Sequence, residues 1–336
     1  YNMKNISRRD FLVKSSIAAT GLSALPTLSF ASSEKPLWRY SVAEWSVNTL
    51  IFGDATKDGW EKFMWKLKND FASIEKAAPM RNIDFPKFIR ECGCEGAEYV
   101  NTCMYDKATN EKYLNELNNV CKGEGITNVL IMVDAEGEVG HPDKAERVKT
   151  VDNHKKWVDA AAQLGCHAIR VNAGSQGSYE EQQKRAAEGL RMLCEYGDKA
   201  NINILVENHG GFSSNGEWLT AVMKMVDHKR IGTLPDFGNF QTSYQPVEWY
   251  DRYKGTKELM PWAKGVSAKS EHFDDKGEET LSDYHQLMRI VVEAGYRGFV
   301  GIEYEGPQYP DRKGGVLATK RLLEKCHEEL KKEFKA

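Results

Sequence analysis

The sequence predicts a single-domain (β/α)₈ barrel of the TIM type, α/β in class, with a long insertion after its first strand. Three observations predict it. Short β-rich runs alternate with amphipathic stretches that place apolar residues at i, i+3 and i+4, the pattern of a parallel sheet with crossover helices. Eight such runs fall within about 300 residues, enough strands to close a barrel. Several runs are preceded by a helix-ending glycine: Gly93, Gly125, Gly165 and Gly295. The alternative, a doubly wound open sheet, lacks support as a dinucleotide fold, because no Gly-x-Gly-x-x-Gly follows the first run.

The runs read as strands are Tyr40–Val47, Gly96–Met104, Thr127–Asp134, His167–Ala173, Asn203–Asn208, Ile231–Asp236, Lys264–Lys269 and Gly298–Glu303. Helical patterns lie between and after them at Phe85–Cys92, Lys112–Gly123, Lys144–Leu164, Glu180–Lys199, Glu217–Val226, Asp283–Ala294 and Thr319–Phe334. One connection is far longer than the rest. Residues 48–83 separate the first strand from its helix and carry Phe52, Trp60, Phe63, Trp65 and Phe71. An insertion after a barrel strand sits on the C-terminal face, where barrel enzymes keep their sites. It reads either as a lid whose aromatics form platforms for a sugar ring or as a helical decoration. The periodicity of Trp60–Ala77 fits the second reading, with the aromatics packed internally.

The N-terminus reads as an address. Residues 7–14 are charged, a mild apolar run follows from Ile17 to Phe30, and Ser29-Phe30-Ala31 is a small-residue exit. Arg8-Arg9 followed by Phe11-Leu12 resembles a twin-arginine export signal. The expected division is a signal over residues 1–31 and a barrel over 32–336, with a periplasmic or otherwise exported location. Processing would remove a net +3, so the formal charge of −3 becomes about −6.

Composition narrows the function. With 41% apolar and 28% charged residues the chain is ordinary globular protein. Forty-six basic against 49 acidic residues, with no basic run, argue against a nucleic-acid partner. No run of about 18 apolar residues exists to span a membrane. The seven cysteines are odd in number and irregular in spacing; only Cys92 and Cys94 are close, and they read as buried free thiols rather than a zinc site. A small-molecule substrate is the expected partner, and a homo-oligomer is allowed.

The chemistry gathers at the strand ends. Strand five ends in Glu207-Asn-His209, strand six in Asp236, strand seven in Ser267-Ala-Lys269 and strand eight in Glu303-Tyr-Glu305. A lone strand-end carboxylate is usually salt-bridged. Three within four neighbouring strands would repel and raise one another's pKa, and a divalent cation is the simplest way to hold them together. His209 is in phase with Glu207, Lys269 with Ser267 and Glu271, and Glu305 with Glu303. Arg170, on strand four, either binds substrate or ties down the barrel interior. Trp45, on the first strand, is assigned to substrate binding with Arg170, Asn239 and Glu305.

The motifs ILVENHGG (Ile204–Gly211), LPDFGN (Leu234–Asn239), VSAKS (Val266–Ser270) and GIEYEG (Gly301–Gly306) resemble those of the xylose isomerase-like TIM barrels. That superfamily takes in sugar phosphate isomerases and epimerases, ketose 3-epimerases, inosose dehydratases and AP endonuclease family 2. The resemblance covers about residues 38–330. It implies one Mn, Mg, Co or Zn ion held by a Glu on strand five, an Asp on six, a His on seven and a Glu on eight. Glu207, Asp236 and Glu303 match. The histidine position falls at Ser267, and His272 is the candidate replacement, with water as the alternative. Where many epimerases have a histidine after the strand-six Asp, this chain has Asn239. The fuller histidine set of the endonucleases is missing.

The function these readings suggest is a metal-dependent sugar isomerase or epimerase, moving a proton beside the carbonyl of a free sugar or keto-sugar. Glu207 and Glu303 would serve opposite faces of the substrate, with His209 or Glu305 as an alternative base and Lys269 in the catalytic set. Two alternatives stay open: a lyase or hydratase on an oxidised, 3-keto type sugar or glycoside, and a sugar-binding barrel without chemistry.

Overall fold

The computed structural model describes residues 35–334, so the export signal expected over residues 1–31 lies outside the described residues. Among the described residues, eight parallel strands form one sheet: β1 (Arg39–Ala43), β2 (Gly96–Val100), β3 (Thr127–Met132), β4 (Ala168–Asn172), β5 (Asn203–Glu207), β6 (Ile231–Leu234), β7 (Val266–Ser270) and β8 (Phe299–Tyr304). Their order is β6-β5-β4-β3-β2-β1-β8-β7. The ring closes between β6 and β7 through isolated parallel bridges, Thr233 to Ala263 and Asp236 to Ser267. Ser267 N–H donates to the Pro235 carbonyl at 2.9 Å and Phe237 N–H to the Ser267 carbonyl at 3.1 Å. This is the predicted (β/α)₈ barrel.

The elements form where the sequence signals lie. Ser178 and Glu181 make a capping box at the start of the helix Tyr179–Lys199, and Asp143 caps Lys144–Leu164 by accepting from Glu146 N–H. Gly125 and Gly165 end their helices in the left-handed region, at φ of 70° and 75°, as a helix-ending glycine should. All seven cysteines are free and buried.

Three expectations need correction. The strands end sooner than their apolar runs. Tyr40–Val47 is a strand only to Ala43, after which Glu44–Val47 is a 3₁₀ turn, so Trp45 is not on a strand. Strand six stops at Leu234, and Asp236 lies two residues beyond it. A hairpin (Gln241–Tyr244 with Val247–Trp249) and a helix (Arg252–Leu259) fill the stretch after β6, where the sequence pattern predicts no element.

The insertion folds as three helices, Asn48–Phe52, Trp60–Asn69 and Phe71–Ala77. Phe52, Phe63, Leu67, Phe71 and Ile74 are buried, so much of its aromatic content is packing. Glu44 bolts the insertion to the barrel. Its carboxylate accepts from Asn82 Nδ2 at 2.6 Å and from Val100 N–H at 3.0 Å, joining the end of β1, the end of the insertion and the end of β2. Burial pushes this carboxyl up to about 8. Inside the barrel, Ser41 Oγ donates to Glu98 at 2.5 Å, and Gly301 leaves the room Glu98 occupies: a Cβ there would lie 2.3 Å from the carboxylate.

Candidate active site

Parallel strands deliver their last inward-facing side chains to one end of the barrel, and here those ends are polar. Glu207 is the last residue of β5, Asp236 follows β6, and Glu303 lies near the end of β8. All three are buried, and each offers an oxygen within 4.8 Å of the others.

Backbone and side chains hold each carboxylate differently. Asp236 Oδ1 accepts from Gly238 N–H at 2.8 Å and Asn239 N–H at 2.7 Å, while Oδ2 accepts from Ser267 Oγ at 2.7 Å. Glu207 Oε1 accepts from Asn239 Nδ2 at 3.0 Å, and Oε2 lies 2.7 Å from Arg170 Nε. That ion pair lacks hydrogen-bond alignment, and among the described residues no donor is aimed at Glu207 Oε2. Glu303 Oε2 lies 3.1 Å from Ser267 Oγ. One hydroxyl hydrogen cannot serve both Asp236 and Glu303 as ionised acceptors.

The charges explain the titration. Burial, with Glu207 close by, raises Asp236 to about 6 against the pull of Lys269. Burial and the charges of Glu207, Glu305 and Asp236 hold Glu303 well above the ordinary carboxylate range despite Lys269. Burial alone would also raise Asp134, but Arg170 and His209 hold it below its usual value. Lys269 Nζ contacts Glu305 at 2.6 Å and Asn239 Oδ1 at 3.1 Å. Neighbouring carboxylates overcome burial and keep Lys269 protonated, and Lys269 in turn keeps Glu305 ionised.

A cavity of about 520 Å³ stands above this cluster. Arg170, His209, Asn239, Lys269, Glu303 and Glu305 line its polar side, with Asp134. Trp45, Trp60, Phe63, Met64, Val100 and Ala135 supply its apolar lining, together with the hydroxyl-bearing Thr102. Nearly every residue singled out from the sequence thus meets at one mouth, including Trp45, which reaches it from the 3₁₀ turn after β1. His272 does not. It is exposed, is absent from the carboxylate cluster and the cavity lining, and its backbone N–H faces Glu279. The place expected of a strand-seven ligand is filled by Ser267.

Sequence reasoning missed Asp134 and Asn208. Asp134 receives Arg170 Nη1 and Asn172 Nδ2, both at 2.8 Å. It follows an apolar β-run, the same signal that marked Glu207. Asn208 is fully buried and clamps the loop after β6: Nδ2 donates to the Asp236 and Asn239 carbonyls, and Oδ1 accepts from Asp236 N–H. No pattern of one sequence distinguishes such an asparagine from a turn residue.

A family model described as xylose isomerase-like TIM barrel matches residues 86–326. The chain belongs to this family. Solved structures of similar fold include the 3-keto-D-glucoside 4-epimerase of E. coli (TM-score 0.58, 17% identity, covering 73% of this chain and 94% of that one). Another is a family member from Mycobacterium smegmatis in complex with magnesium (TM-score 0.58, 17% identity, covering 87% and 98%). Curated relatives match over short stretches only, 13% to 20% of their own length. Among them is the 3′-dehydrocarminate deglycosidase alpha subunit of a Microbacterium species, 34% identical over 79 residues, which is 23% of this chain and 20% of that one.

Proposed function

We propose that the protein is an enzyme that moves a proton beside the carbonyl of a keto-sugar, with epimerisation as the outcome and a divalent cation as cofactor. The buried cluster of Glu207, Asp236 and Glu303 under a sugar-sized polar surface carries this reading. The fit to a cation is chemical. Five carboxylates (Asp134, Glu207, Asp236, Glu303 and Glu305) face two fixed cations, Arg170 and Lys269, and one Glu207 oxygen is left without a donor. An all-oxygen donor set suits Mg or Mn better than Zn. Glu207, Asp236 and Glu303 would hold the ion, with Ser267 beside them, and it would supply Lewis acidity toward a substrate oxygen.

The residues of the chain do the rest. Glu303 borders the cavity, whereas Glu207 and Asp236 lie beneath it, so Glu303 is the group placed to take the proton. Lys269, kept protonated, faces the same space and stabilises charge that develops on the substrate oxygen. His209 is exposed at the rim on the side of Glu305 and Asp134, where it can return a proton to the opposite face. Residues 1–31 would carry the protein out of the cytoplasm, which favours unphosphorylated substrates.

A second reading is elimination, favoured by the short matches to deglycosidase alpha subunits and by the keto sugar in one of their names. With a ketone at C3, the same base takes the C2 proton, the bond from C1 to the aglycone breaks, and the aglycone leaves with the electron pair and is protonated. Incubation of a 3-keto glucoside with the magnesium-loaded protein in D₂O, followed by NMR, tests both. Deuterium at the carbon beside the carbonyl in an epimer supports the first reading. Free aglycone with an unsaturated keto-sugar supports the second. No exchange and no product, with wild type equal to Glu303→Gln, removes both.

A further inference from the structure

The two sides of the cavity ask for different chemistry. The polar side can satisfy the hydroxyls of one sugar ring. The apolar side is continuous: ring centroids lie 5.4 Å apart for Trp60 and Phe63, 4.9 Å for Phe63 and Phe52, and 6.0 Å for Phe52 and Trp45. Phe52 supports this surface from behind, while Trp45, Phe63 and Trp60, with Met64, face the cavity. Against Phe63, Met64 and Val100 the hydroxyls of a second sugar would find no partner, and Thr102 is the one further polar side chain of the lining. About 520 Å³ is also the size of a site for a drug-sized ligand of several rings (roughly 300–1,000 Å³) rather than for one pyranose.

Trp60 is the telling residue. It is 64% exposed, and on the same helix Trp65 is 62% exposed, but only Trp60 borders the cavity. Exposed single tryptophans need no explanation; one that completes an apolar wall over a polar floor does. We propose that this wall is a subsite for a flat, apolar aglycone, so that the substrate is an aromatic glycoside rather than a free sugar. The proposal rests on the reading of the polar floor as a sugar site.

Binding of unreactive probes tests it on the full protein with magnesium, by calorimetry. The probes are methyl β-D-glucoside, naphthyl β-D-glucoside and naphthol. The naphthyl glucoside should bind at least about tenfold more tightly than the methyl glucoside, an aromatic contact's worth. Trp60→Ala should remove that preference and leave the methyl glucoside unaffected, while Trp65→Ala, equally exposed on the same helix, should change neither. Equal affinity for the two glucosides, or equal effects of the two substitutions, overturns the proposal and leaves the sugar reading intact. Binding of naphthol with neither glucoside overturns both.

Discussion

The floor of the cavity and its apolar wall are built in opposite ways. The floor comes from the ends of β4 to β8, and its carboxylates are fixed by backbone amides, Arg170, Asn239 and Ser267. The wall comes mainly from the helices of residues 48–83, which hang on the barrel through buried aromatics and the Glu44 carboxylate. Removing a floor residue leaves uncompensated charge in a buried place. Removing the outer face of the wall leaves only solvent where there was solvent. On the function proposed above, the difference teaches that chemistry falls to the rigid sheet and discrimination between substrates to the exposed outer face of the insertion.

Glu303→Gln should break the floor most visibly, lowering proton exchange by about 10²–10⁴-fold with the fold retained, read by NMR in D₂O and by circular dichroism. Retained activity would move the proton-carrying role to His209 or Glu305. Arg170→Met should instead destabilise the protein, by about 3–5 kcal/mol in urea unfolding, because Asp134 and Glu207 lose the cation between them. In the wall, Phe63→Ala should cost about 3 kcal/mol, since that ring is buried, while Trp60→Ala should stay within about 0.5 kcal/mol. Equal costs for the two would erase the distinction between packed base and free face.

The last effect is one of pH. Glu44 is neutral in the fold up to about 8, whereas in the unfolded chain it ionises at its ordinary value of 4.5. Its contribution to stability is therefore complete below about 4.5 and is lost as the pH rises through about 8. Unfolding free energy should fall across that window with a slope of at most about 1.4 kcal/mol per pH unit from this group, and Glu44→Gln should flatten it.

The barrel and the three carboxylates were legible because both follow from period and position. Apolar β-runs ending in Glu207, Asp236 and Glu303 carry the sheet, its direction and its mouth in one pattern. What was not legible depends on partners distant in sequence. Arg170 lies 37 residues before Glu207, and only the fold shows that it reaches both Glu207 and Asp134. Ser267 looked like a missing ligand, yet it is the hydroxyl between Asp236 and Glu303. Trp45 borders the cavity from a 3₁₀ turn and not from a strand, and such a turn after β1 has no sequence period of its own. His272 was wrongly drawn in by its residue type and nearness in sequence.

One more consequence lies in how the ring of strands is fastened. Neighbouring strands elsewhere pair along ladders of several residues, but β6 and β7 meet only at isolated bridges, one of them between Asp236 and Ser267. The clasp of the barrel is therefore made of the residues that crowd negative charge together. Amide exchange should find the molecule breathing there first, and anything that quiets those charges also fastens the ring. Affinity for such a ligand and the population of the closed clasp become two readings of one free energy.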